Sequence, residues 1–158
     1  MTLDEQLLQK LAKWRPDSGR QTLDVSDPAT GWTVRLTADC VDQIGSRLHS
    51  LGLSRTTPLE GVSLRDRAEA LAARVTGLME PLRLIEVDTP RNTALLRSEA
   101  PGERGDDLYY YEILLQGDGG SQLHRYQASH QSHTRQAVPF SLTHEVLGKL
   151  VSDLTAPA

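Results

Sequence analysis

Cysteine is nearly absent from this chain. Cys40 is the sole one in 158 residues, which excludes an internal disulfide or a thiolate metal cage and suits a reducing compartment. Long apolar runs are missing too; nothing approaches the roughly 18 residues that a spanning helix needs. The opening MTLDEQLLQK lacks a basic region followed by an apolar stretch, so no secretory leader is expected and the expected compartment is the cytoplasm. Positive charge is not in excess. The net charge of −4 argues against general nucleic-acid binding, which neutralises phosphates with a basic surface. Lysine is scarce: Lys10, Lys13 and Lys149 are the only ones among 17 basic residues. Arginine, whose planar fork suits carboxylates and phosphates, supplies the rest.

Chemical signatures are absent as well. The phosphate loops G-x-G-x-x-G and G-x-x-x-x-G-K-[ST], the nucleophile elbow G-x-S-x-G and the metalloprotease H-E-x-x-H do not occur. No cofactor is expected, no catalytic residue is assigned, and the reading leans against an enzyme. His124, His130, His133 and His144 crowd the C-terminal third. Their spacing matches no zinc signature, so no metal site is assigned.

What is present is an α+β pattern. The strongest signal is a hairpin, Asp107–Gln116 and Ser121–Ser129, around Gly117-Asp118-Gly119-Gly120. Tyr109, Tyr111, Ile113 and Leu115 alternate with Tyr110, Glu112, Leu114 and Gln116, so the two sets face opposite ways. The turn holds residues that tolerate positive φ. Further strands are expected at 82–87, 93–97 and 135–140, with 99–106 a loop. Together they make an antiparallel meander of about five strands over residues 82–140. Its second face is half polar, so helices should cover mainly one side.

Helical periodicity recurs at Leu3, Leu7, Leu8, Leu11 and Trp14, at Leu64, Ala68, Leu71, Val75 and Leu78, and from Leu142 to Leu154. A hairpin, 22–26 and 32–37, follows the first helix. A further helix is expected from about Asp39, with Val41, Ile44, Leu48 and Leu51 on one face and Gly52 as its stop. The N-terminal part therefore reads α-β-β-α over residues 1–52. A linker spans 53–62 and the larger part spans 63–155. The short N-terminal part has too little core to stand alone, so residues 1–158 are expected to form a single domain.

A protein–protein interaction module, an adaptor or chaperone-like in type, is the leading functional expectation. Its partner is another protein or a second copy in a homodimer, met by the stripe Leu3, Leu7, Leu11 and Trp14. No membrane contact is expected. The alternative is a small-ligand or catalytic pocket between sheet and helices, with Tyr109, Tyr111, His124 and Arg125 as its polar groups. Third comes nucleic-acid binding through a Tyr/Arg sheet face of Tyr110 with either His124 or Tyr126, and of Arg97, Arg125 and Arg135.

Overall fold

The computed structural model describes residues 1–131 and 134–157. Among them are three helices and ten strands. The chain order is α1 (Leu3–Leu11), β1 (Gln21–Asp27), β2 (Trp32–Val41), β3 (Gly45–Arg55), α2 (Leu64–Arg74), β4 (Leu82–Asp88) and β5 (Thr93–Ser98). Then come β6 (Gly102–Arg104), β7 (Asp107–Gln116), β8 (Ser121–Ser129), β9 (Arg135–Val138), β10 (Phe140–Thr143) and α3 (His144–Thr155). All strands join one antiparallel sheet of order β1-β2-β3-β8-β7-β5-β4. The sheet is thus about twice the expected five strands, because the N-terminal meander β1-β2-β3 adds to the C-terminal one at the β3–β8 seam, β6 forms within the expected loop, and the last strand is split into β9 and β10.

The helices form a layer on one face. α1 packs on β1 and β2, α2 on β4, β5 and β7, and α3 on β3 and β10, with α3 touching both other helices. Their stripes are spent on this packing. Leu3, Leu7 and Leu11 of α1, Ala68 and Leu71 of α2, and Leu147, Leu150, Val151 and Leu154 of α3 join Val34, Leu36, Leu96, Ile113 and Leu123 in one buried cluster. Alternation within strands sends every second side chain into it and the rest to the uncovered face. Helix starts follow the sequence. Ser63 Oγ accepts from Asp66 N and Thr143 Oγ1 from Val146 N, and Glu5 accepts from Thr2 N, satisfying orphan amides of the first turn. α2 ends at Arg74, short of Pro81, because Val75, Thr76 and Gly77 are poor helix formers. Val75 and Leu78 are buried all the same.

The expected helix from Asp39 is instead the end of β2, a turn and β3, so the N-terminal part is α-β-β-β. The turn forms on Asp42, whose Oδ1 accepts from Ile44 N at 2.7 Å and Gly45 N at 2.8 Å, an Asx turn that competes with helix. Ile44 is exposed rather than core. The apparent helical spacing of Leu48 and Leu51 arises from a bulge. Thr37 pairs with Ser50 and Ala38 with Leu48, leaving His49 unpaired; Ala38–Leu48 and Cys40–Arg47 then leave Asp39 unpaired. One extra residue shifts face parity, so Leu48 and Leu51, three apart, both face the core. Cys40 lies exposed on β2, not at a helix start. The expected linker begins inside β3 (residues 53–55) and is tied down at Leu59, whose N–H donates to Asp118 O. The 99–106 loop contains β6, paired with the start of β7.

The last strand is two strands, broken at Pro139, which cannot donate to a ladder. Below the Leu51–Leu123 pair, β3 and β8 part. β9 runs up β8, ending with Val138 opposite Arg125. β10 runs back down β3, starting with Phe140 opposite Leu48. The two legs form a wedge in the fork of the sheet. At the other end of β8 the 117–120 turn is held by Arg67. Buried in α2, it donates to Gln116 O at 3.2 Å and Gly119 O at 2.7 Å, and Gly119 sits at φ +109°, a conformation that favours glycine.

Candidate functional site

β7 and β8 feed two polar clusters, one to each face. On the helix side Tyr111 lies opposite Arg125. Arg125 donates to Glu80 Oε1 at 3.1 Å, both side chains being 10% exposed. Ser98 Oγ donates to the same oxygen at 2.9 Å and accepts from Tyr111 N at 2.8 Å. The guanidinium lies 4.3 Å from the Tyr111 ring centre and 6.0 Å from that of Tyr109. Tyr111 meets Phe140 edge-on, and burial holds its phenol above the usual range. Every charge here is matched, as burial demands.

On the uncovered face Glu112 lies between Arg97 of β5 and His124 of β8. Arg97 donates to Glu112 Oε1 through Nε and Nη2, at 2.8 and 2.7 Å. Arg135 reaches the same oxygen from β9, across Tyr126. Its guanidinium sits 3.8 Å above the Tyr126 ring, and Arg97 sits 5.3 Å from that of Tyr110. Tyr110, Tyr126 and His124 stand in a row, with ring centres 6.0 and 5.9 Å apart. Burial lowers the affinity of Arg135 for its proton, but bonds to Tyr110 and Glu112 outweigh it and raise the value. Glu112 is 6% exposed, whereas Arg97 and Arg135 are 38% and 41% exposed. Solvent therefore meets guanidinium and ring, not carboxylate.

The four pocket residues expected from sequence are divided between these clusters. Tyr109, Tyr111 and Arg125 come together on the helix side, where Glu80 occupies the arginine; His124 is on the opposite face. Of the stripe expected to meet a partner, Leu3, Leu7 and Leu11 are buried in the chain's own core, and Trp14 is packed partly against it. Of the Tyr/Arg face, Tyr110, Tyr126, Arg97 and Arg135 do converge, without Arg125. The histidines do not gather. His144 bonds Ser46 Oγ at 3.1 Å, His130 is exposed beyond β8, and His133 lies outside the described residues. Among those residues no group of three or more His, Cys, Asp or Glu could hold a metal ion.

The sequence reading missed His49 and Asp39. The two bulge residues meet, His49 Nε2 to Asp39 Oδ2 at 2.9 Å, and Arg47 Nε donates to Asp39 Oδ1 at 2.6 Å. Those bonds, from Arg47 first, hold the Asp39 carboxyl below its usual range. Bulges leave no composition signal, so only the pairing register reveals them. Glu112, in contrast, was visible as a charge amid an apolar strand.

No protein-family model matches the chain, and neither a curated protein nor a solved structure matches it.

Proposed function

We propose that the chain is a non-enzymatic interaction module that docks an acidic, aromatic-containing protein segment on its uncovered sheet face. The observation that carries this reading is the platform of Arg97, Arg135, Tyr110 and Tyr126. Two guanidiniums share one buried carboxylate there, and both arginine side chains are partly open to water. Arginines stacked on rings are pre-organised for carboxylates and for further stacking, so charge complementarity selects acidic groups beside flat side chains. The contact belongs to the sheet rather than the terminal helices, whose leucines are already buried. A nucleic acid would use the same chemistry, but the net charge of −4 opposes a polyanion.

Selection from a displayed peptide library tests this. Acidic and aromatic consensus positions are expected, with binding lost on Arg135→Ala and retained on Arg65→Ala, which changes an exposed residue of α2. A basic consensus, or peptides indifferent to Arg135, would refute it. Tighter binding to an oligothymidylate than to any selected peptide would replace it with the nucleic-acid reading.

A further inference from the structure

Where the wedge enters the fork, a cleft of about 170 Å³ opens between β3, β8 and β9. Arg20, Thr37, His49, Ser50, His124, Ala137 and Val138 line it. We infer that this cleft is a binding site for one small oxyanion, a carboxylate, phosphate or sulfate group. The lining contains a guanidinium, two imidazoles and two hydroxyls and no acid. Neighbouring carboxylates are already engaged, Asp39 by Arg47 and His49 and Glu112 by Arg97 and Arg135. The donors are not. Among the described residues the side chains of Arg20, Ser50 and His124 make no hydrogen bond or ion pair, and His124 is half-buried beside Tyr126. The double bulge turns His49 into the cleft and ties its other contact to Asp39, the arrangement that fixes an imidazole's orientation. A cavity of this size takes a single tetrahedral or planar group, not a nucleotide.

Protonation tunes the site. The groups facing His124 are Glu112 on β7, Arg135 on β9, His49 on β3 with its Asp39 on β2, and Arg20 before β1. Burial lowers the His124 proton affinity, Glu112 opposes this, and Arg135 adds to it. An anion in the cleft favours the imidazolium, so binding draws in a proton and tightens as pH falls. The inference stands apart from the docking of a protein segment, since a free ion suffices to test it.

The probes are sodium sulfate, ionised at every pH used, and N-acetylglutamate N-methylamide, the side chain of an acidic partner. Imidazole resonances of His49 and His124 are followed at constant ionic strength. Saturable shifts at both rings are expected with either probe, the tighter probe naming a free ion or a partner's side chain as the source. Sulfate affinity should rise about tenfold from about pH 8 to about pH 5.5. His124→Gln should flatten that pH dependence, and Arg20→Gln, in an exposed segment, should weaken sulfate about tenfold while leaving the spectrum otherwise native. Shifts that grow linearly without saturating, or an Arg20→Gln variant that binds as wild type, would overturn the site.

Discussion

Tyr111 and Glu112 are neighbours on β7, and His124 and Arg125 face them on β8, yet the two pairs serve opposite ends. On the helix side one arginine meets one glutamate, each almost sealed from water, with Ser98 and Tyr111 closing the remaining contacts. On the uncovered face two arginines meet one glutamate, and the excess cation is turned outward over Tyr110 and Tyr126. The same residue types, one position apart, build a strut in one place and a surface in the other. Stoichiometry and exposure separate them, not composition.

Breaking the strut should cost most. Glu80→Ala leaves Arg125 buried and unpaired, and a loss of about 3–5 kcal/mol is expected in urea denaturation. Adding Arg125→Met to that variant should recover much of the loss, because the penalty lies in the stranded charge. The equivalent change on the open face should cost less. Glu112→Ala removes the shared acceptor, but Arg97 and Arg135 reach water, so about 1.5 kcal/mol is expected in the same measurement, the low end for bonds to charged groups. Equal losses for Glu80→Ala and Glu112→Ala would erase the distinction. Tyr126→Ala should cost about 1 kcal/mol, the worth of a half-buried ring beneath a solvent-facing guanidinium, while abolishing binding of selected peptides. A variant that keeps those peptides would show that the ring is only packing.

The smallest effect is acid sensitivity. Burial lowers the proton affinity of His124 and of His144 in the folded chain, so the unfolded chain binds more protons just below the ordinary imidazole value of 6.5. Stability then falls as pH drops from 6.5 toward the folded values, and is unaffected by these groups above it. Melting temperatures at stepped pH should show this decline, shallower in His124→Gln. A decline of equal slope in that variant would remove His124 from the effect.

Much of the sheet was legible, because periodicity and turn chemistry agreed. Asp107–Gln116 and Ser121–Ser129 alternate strictly around a glycine turn, and their bounds, facing sets and turn are those seen. β4 and β5 flank the expected turn, where Asn92 takes φ 54°. β3 was read as helix since its bulge places Leu48 and Leu51 at helical spacing, and no local cue marks a bulge. Phe140 was read as the end of β9 and Leu142 as the first apolar residue of α3, because Leu142 stands at helical spacing from Val146; both belong to β10, and α3 starts at His144. The candidate surface was half legible. Tyr110, Tyr126, Arg97 and Arg135 fall on strands that the sequence shows, but their common face comes from the pairing register. That Glu112 joins the arginines depends on strand order. Likewise His49 meets the cleft of His124 only because β3 and β8, about seventy residues apart, adjoin at the seam, as non-local sheet pairings do.

The most direct test of the open face as the working surface is backbone amide chemical-shift mapping with the tightest selected peptide. Perturbations are expected at Tyr110, Glu112, His124, Tyr126 and Arg135, with α1, α2 and α3 unmoved. Perturbations centred on the helices, or on the edge strands β1 and β4, would contradict it.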